Sequence, residues 1–218
     1  TLDIIKYSNN LAMANKESII CGWQFIRKEL QKRHTKFIPL DSEHFSIWSL
    51  MKDDSKQNIK KIYLTASGGP FLNKDLKNIK NIKPKFALNH PNWKMGPKIS
   101  IDSATMMNKG FELIEAYHIF DFSEDKIDIV IHPESIVHSL VEFFDGSTLA
   151  QLGTPDMKTP IAYTLAWPKR MVLKENSMDF NSHISLNFYP PDHQRFPALN
   201  LARESLKAGG NAPTILNA

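Results

Sequence analysis

Cysteine occurs once in this chain, at Cys21. One thiol forms no internal disulfide and supplies no zinc cluster, so a reducing compartment fits. Glycine is scarce as well: nine in 218 residues, none arranged as Gly-x-Gly-x-x-Gly. The 218 residues therefore carry no Rossmann dinucleotide fingerprint of their own. No run reaches the ~18 consecutive apolar residues of a membrane-spanning helix. The opening TLDIIKYSNN lacks the basic stretch and apolar core of a signal peptide. Arginine supplies only 5 of the 27 basic residues, the other 22 being lysine. With 16 Asn and 22 Ile, that excess fits AT-rich coding. A nucleic-acid surface would interleave arginine with aromatics. The lysine-rich runs 52–61 and 74–85 read instead as solvated faces.

What is present is globular in character. Hydrophobic residues make up 42% and charged residues 23%, which excludes a disordered or fibrous chain. Residues 11–14 are a strand candidate. Asn15 then caps a helix to about Arg33, with Ile19, Trp23, Ile26 and Leu30 spaced i, i+4, i+7, i+11. Residues 37–40 form the next strand, so the order is that of an α/β unit. Cys21 is placed with the apolar part of that helix and is inert. Residues 62–66 are a strand that breaks at Ser67-Gly68-Gly69-Pro70. Residues 71–96 form a long Lys- and Asn-rich loop, a length that marks lids and mobile segments. Asp102-Ser103 is expected to cap a helix to about Phe120. Residues 127–131 read as a buried strand. Residues 136–144 and 148–152 flank the hairpin signal Asp145-Gly146. The piece 167–192 looks like an extended linker, and 198–208 a helix closed by Gly209-Gly210.

Four places could carry chemistry. Asp41-Ser42-Glu43-His44 follows a strand, and i, i+2 residues of a strand share a face. Asp41 and Glu43 would suit a hard divalent cation; a solvated strand end explains the spacing more simply. On the following helix, Asn108, Lys109 and Glu112 share a face by i, i+3 and i, i+4 spacing. Ser103 and a helix N-terminus could hold an anion there, or the helix is merely amphipathic. Gly110 costs ~1 kcal/mol in a helix, so something should approach it closely. Ser67-Gly68-Gly69 could aim a hydroxyl and N–H groups at a phosphate, or be a plain turn. Trp93 and Met95, in a polar loop with His90, could cover a ligand, or anchor the loop. His132 and His138 read as packing or hydrogen-bonding groups.

The stretches LAMANKES, PLDSEH, LTASGGPF, NHPNWKMG, KISIDSATMMNKGFELIEA, IDIVIHPESIVHS, GSTLAQLGTPDMKTPIAYTLAWP and TILNA occur in one order. Together they resemble the 1-deoxy-D-xylulose 5-phosphate reductoisomerases, NADPH-dependent oxidoreductases of non-mevalonate isoprenoid synthesis. The resemblance covers most of the chain, and the block around Ser103 is its most specific part. It implies a metal, Mg²⁺ or Mn²⁺, on Asp41, Glu43 and Glu112. It implies substrate contacts at Lys16, Ser42, Glu43, Ser67, His90, Ser103, Asn108, Lys109 and Glu112. Asp41, Glu43, Glu112, Lys109 and His90 are the implied catalytic residues. Asn15, Glu17 and Gly96 would lie near NADPH, and Trp93 and Met95 on a lid. The implied partners are a phosphorylated ketose and a second copy in a homodimer, with no nucleic acid and no membrane. The implied location is the cytoplasm of a bacterium, or a plastid.

The implied fold is α/β. Residues 1–40 would be the tail of a Rossmann-like NADPH domain and 41–166 an α+β catalytic domain. Residues 167–192 would be the linker and 193–218 the start of a helical domain. Such a piece is expected to be inactive alone, with the Ile19–Leu30 helix face left uncovered. Pro97 stands where the family commonly has a basic residue. The rival readings are a module binding metal and a phosphorylated ligand, or a metal-dependent phosphosugar isomerase without hydride transfer.

Overall fold

A computed structural model describes residues 1–51, 56–79, 81–93, 95–174 and 177–218. Parts of the lysine runs (52–55 and Lys80) lie outside the described residues, as do Lys94 of the long loop and 175–176 of the linker. A short helix α1 (Leu2–Ile5) leads into β1 (Asn10–Met13), α2 (Lys16–Arg33) and β2 (Lys36–Pro39). β1 and β2 pair in parallel, Leu11 opposite Phe37, with α2 as the crossover. The Asn15 side chain accepts the Ser18 N–H at 2.8 Å and starts α2 as the sequence predicts. Ile19, Trp23, Ile26 and Leu30 are buried against Ile5, Leu11, Met13, Phe37 and Ile119. That helix face is therefore covered within the chain, contrary to expectation. Cys21 is likewise not on it; the thiol is exposed, 3.7 Å from the Asn217 amide.

Helix α3 (Ser42–Leu50) follows β2 directly. Asp41 is its N-cap and Glu43 lies in its first turn, so the two do not alternate on a strand. A second sheet has the order β4-β3-β5-β6, from β3 (Ile59–Ala66), β4 (Ile127–Ile131), β5 (Val137–Phe143) and β6 (Thr148–Leu152). β3 runs parallel to β4 and antiparallel to β5, and β5 and β6 form the predicted hairpin. Among its described residues, the long loop contains a short helix α4 (Leu76–Ile79) and a 3₁₀ turn at Pro84–Phe86.

The single helix expected from Asp102-Ser103 to Phe120 is two. α5 (Pro97–Ala104) ends, and α6 (Met107–Phe120) begins after Met106, whose φ is 62°. Asp102 and Ser103 thus sit in the last turn of α5 and cap nothing. A left-handed methionine breaks the hydrogen-bond ladder and turns the chain between the two helices. α6 packs on the sheet through Leu113 and Phe120, whose neighbours in the core include Ile62, Leu64, Ile129, Val141 and Phe196. α7 (Lys158–Ala166) has no counterpart among the expected elements; its buried Pro160, Ala162 and Tyr163 form no clean stripe. The described part of 167–192 has no regular element, but Tyr189 bridges to Ile131 at the β4 edge. α8 (Ala198–Ala208) and α9 (Ala212–Asn217) complete the chain. α8 lies against Gly110 of α6: a Cβ there would stand 3.0 Å from Ala202 Cβ and 3.3 Å from the Ala198 carbonyl. No described helix is long and apolar enough to cross a membrane.

Candidate active site

A cavity of about 310 Å³ opens between the first turns of α2 and α3, the end of β3, the helix pair α5–α6 and the loop at 90–95. It is lined by Lys16, Asp41, Ser42, Glu43, Ser67, His90, Trp93, Met95, Ser103, Asn108, Lys109 and Glu112. Asn15, Glu17 and Gly96 do not line it. Asn15 donates to Glu17 at 2.9 Å, and Glu17 pairs with Lys98 at 3.4 Å, next to the α5 N-cap Gly96.

One wall is acidic. Carboxylate oxygens of Asp41, Glu43 and Glu112 lie within 4.8 Å of one another. Two lysines brace them. Lys109 donates to Glu43 at 2.9 Å and to Glu112. Lys16 donates to Asp41 and sits 3.6 Å from Glu112 and 3.4 Å from Glu115. The Asn108 amide donates to Glu112 at 2.6 Å, and the Ser42 hydroxyl to Glu43 at 2.6 Å. Burial, with Glu43 beside it, pushes the Glu112 carboxyl up to about 7, against the pull of Lys109. Asp41 is half-buried, yet Lys16 and His44 hold it well below the usual carboxylate range. Burial alone would lower both lysines; the carboxylates around them raise both.

Behind this wall lies a second group, missed in the sequence. His44 is buried and donates through Nε2 to the Glu112 carbonyl at 2.9 Å. Its Nδ1 faces Asp41 at 3.6 Å and Glu115 at 3.9 Å. Burial would lower the imidazole, but Glu115 and Asp41 outweigh it and raise it to about 9. A charged imidazolium is no metal ligand, so Asp41, His44 and Glu115 form an ionic cluster supporting the first set. The signal was present: Glu115 is i+3 from Glu112, and His44 is i+3 from Asp41.

The opposite wall is polar and nearly neutral. Ser67 ends β3, and its Oγ accepts the Gly69 N–H at 3.2 Å. Gly68 and Gly69 have φ of 84° and 66°, which favour glycine. A Cβ on Gly69 would stand 2.7 Å from the Ser103 carbonyl. His90 Nδ1 accepts the N–H groups of Asn92 and Trp93 at 3.1 and 3.0 Å. Its Nε2 therefore carries the proton and donates to Ser67 Oγ at 3.0 Å. Burial lowers the His90 pKa, which keeps this tautomer neutral. The Trp93 ring meets His138 edge-on, centroids 6.4 Å apart. His138, Ser135 and Met157 also line the cavity and were missed. No local spacing marks them, because they arrive from β5, the turn before it and the segment leading to α7.

Two family models match, described as the 1-deoxy-D-xylulose 5-phosphate reductoisomerase C-terminal domain over residues 37–120 and the DXP reductoisomerase C-terminal domain over 152–218. The chain belongs to this reductoisomerase family. The reductoisomerase of Zymomonas mobilis subsp. mobilis is 48% identical over 218 residues, covering 100% of this chain and 56% of that protein. One from Acinetobacter baumannii is 48% identical over 227 positions, covering 100% and 57%. The chain thus spans about half the length of the curated reductoisomerases it matches. A crystal structure of DOX-P reductoisomerase in complex with NADPH, fosmidomycin and magnesium gives a TM-score of 0.92 at 47% identity, over 99% of this chain and 55% of that one. The Zymomonas reductoisomerase in complex with NADPH gives 0.91 at 45%, over 100% and 55%.

The donor set fits a hard cation. Three carboxylates within 4.8 Å span little more than the ~4.2 Å between opposite oxygens around one Mg²⁺. After burial, which comes first, the raised Glu112 reflects repulsion from Glu43 and Asp41, against the pull of Lys109 and Lys16. A divalent ion would relieve that repulsion.

Proposed function

We propose that this chain carries the metal and substrate site of an NADPH-dependent reductoisomerase. The reaction turns 1-deoxy-D-xylulose 5-phosphate into 2-C-methyl-D-erythritol 4-phosphate. The observation that carries the reading is the convergence of Asp41, Glu43 and Glu112 opposite Ser67 and Ser103 in one cavity. Asp41, Glu43 and Glu112 would hold Mg²⁺ or Mn²⁺, which supplies Lewis acidity at the substrate's carbonyl and hydroxyl oxygens. NADPH supplies the hydride, its nicotinamide end near Asn15, Glu17 and Gly96. Its pyrophosphate would need a glycine turn outside these 218 residues.

The chain's own groups divide the remaining work. Lys109 and Lys16 keep the carboxylates apart and in place before the cation arrives. With its carboxyl pushed up to about 7, Glu112 would be partly protonated near neutral pH, and its ionised form would be the one that holds the cation. Ser67, Ser103, Asn108 and Lys109 bind the phosphate, and His90 orients the Ser67 hydroxyl through its Nε2–H. Trp93 and Met95 close over the ligand and exclude water. Phosphate binding, remote from the reacting carbons, drives that closure. The domain division at 40, 166 and 192, a homodimer and a cytoplasmic setting belong to the same reading, the last supported by the bacterial source of the relatives.

The test is NADPH absorbance in the native-length protein with substrate, with Mg²⁺ or with chelator. Loss of absorbance that needs the metal and vanishes in Glu112→Gln is expected. Oxidation that ignores the chelator, or none at all, overturns the reading.

A further inference from the structure

We propose that Arg195 is a positioning residue for the lid, pinning its first hinge so that closure occurs on a base that does not move. The inference rests on the lid reading above. Arg195 lies in the turn before α8, its side chain 14% exposed. Its Nη1 donates to the Phe71 carbonyl at 3.0 Å and to the Lys74 carbonyl. These two carbonyls belong to the tight turn where the lid begins, in which the Lys74 N–H also donates to the Phe71 carbonyl at 3.2 Å. A charged donor shared by two main-chain carbonyls fixes both far better than water would.

Asp192 holds the arginine at two points: its Oδ1 accepts the main-chain N–H of Arg195 at 3.1 Å, and its Oδ2 lies 3.6 Å from the guanidinium Nε. The next residue, Phe196, is 2% exposed in the sheet core, so the arginine stands on a rigid mount. On the lid side, Phe71 is buried with Ala87 and Ala104. Leu72 rests against Gly68, where a Cβ would meet its side chain at 2.7 Å. The pin therefore reaches Ser67 through a few packed atoms.

The far end of the lid has a matching tie. The Asn92 amide donates to the Pro133 carbonyl at 2.6 Å and to Ser135 Oγ at 2.8 Å. That turn is held by His132, whose Nε2 accepts the Ile136 and Val137 N–H groups at 3.1 Å. His132 Nδ1 donates to the Asn187 carbonyl at 2.8 Å, and the Asn187 amide donates to Glu134 at 2.5 Å. Residues 187–196 thus touch the first end of the lid directly, through Arg195, and reach its far end through the turn at 132–135 that holds Asn92. The strap on which the lid is mounted is the end of the segment that sequence reading makes a linker, 167–192, together with Arg195 just beyond it.

The test uses the native-length protein with Arg195→Met and Arg195→Lys. Hydrogen exchange without ligand should quicken at the Leu72 and Lys74 amides by about tenfold, equivalent to ~1.4 kcal/mol. The amides of β3 and α6 should keep the parent's rates. Arg195→Lys, which keeps the charge but not the fork, should quicken the same amides less. KM for the phosphorylated substrate should rise more than kcat falls. Unchanged exchange at Leu72 and Lys74, or faster exchange shared by β3 and α6, overturns the pin. So does a kcat that falls with the active fraction at constant KM. Should Arg195→Met not fold, Arg195→Lys decides by the same two readings, and no change in either overturns the proposal. A parent without turnover refutes the functional reading instead, while exchange in the ligand-free protein still decides the pin.

Discussion

Replacing Gly69 by alanine isolates how the turn after β3 supports the cavity. At φ 66° a side chain costs ~1–2 kcal/mol of backbone strain. The new Cβ would also stand 2.7 Å from the Ser103 carbonyl and 3.2 Å from Ala104 Cα. Both are backbone atoms of α5, so no side chain can swing away. Overpacking of that kind adds ~1–3 kcal/mol, for a total of ~2–5. Gly146 provides the control. Its φ is 88°, but nothing lies within 4 Å of the place a methyl group would take, so Gly146→Ala should cost only the strain. The gain from a stiffer unfolded chain is common to both variants and cancels in the difference. Urea titrations with equal slopes should therefore separate them by ~1–3 kcal/mol. Because the displaced atom belongs to Ser103, KM for the phosphorylated substrate should rise in Gly69→Ala and stay at the parent value in Gly146→Ala. Equal midpoints for the two variants would refute the steric argument, leaving φ as the whole effect.

Four further outcomes are expected. Since burial holds the Glu112 carboxyl protonated below about 7, Mg²⁺ or Mn²⁺ affinity by calorimetry should fall about tenfold per pH unit below that point and level off above it. For the same reason, the metal-free protein should lose the Glu112 contribution to stability as pH rises through about 7, which urea midpoints would show. Trp93 fluorescence should change when a phosphonate hydroxamate and Mg²⁺ are added, and Trp93→Phe should lose most of that signal; an unaltered parent would remove the lid. Asn92→Ala should speed proteolysis within 71–96 in the ligand-bound protein, because the Pro133 and Ser135 contacts tie down that end.

Much of the fold is legible where the information is local. The Asn15 cap and the apolar spacing of α2 define β1–α2–β2, and β4 has the predicted bounds. Gly110 advertised a close neighbour, and α8 is that neighbour. The carboxylates of Asp41, Glu43 and Glu112 do converge, but through a helix cap and a first turn rather than strand alternation. Other features leave no local trace. The break at Met106 depends on a left-handed non-glycine residue, which sequence does not announce. α7 buries Pro160, Ala162 and Tyr163 without a stripe to betray it. Arg195 finds its carbonyls more than a hundred positions upstream, where no periodicity connects donor and acceptor.

The close fit of α6 on α8 also bears on how sequences of this kind can drift. Gly110 shares its helix with Asn108, Lys109 and Glu112 but faces Ala198 and Ala202. A methyl group gained at either side of that seam would push the helix, and its three cavity residues, toward the ligand. Substitutions at 110, 198 and 202 should therefore be accepted in compensating combinations, so that positions remote from any substrate inherit the constraint of the site. In an alignment, that seam would show as covariation among positions 110, 198 and 202, none of which lines the cavity.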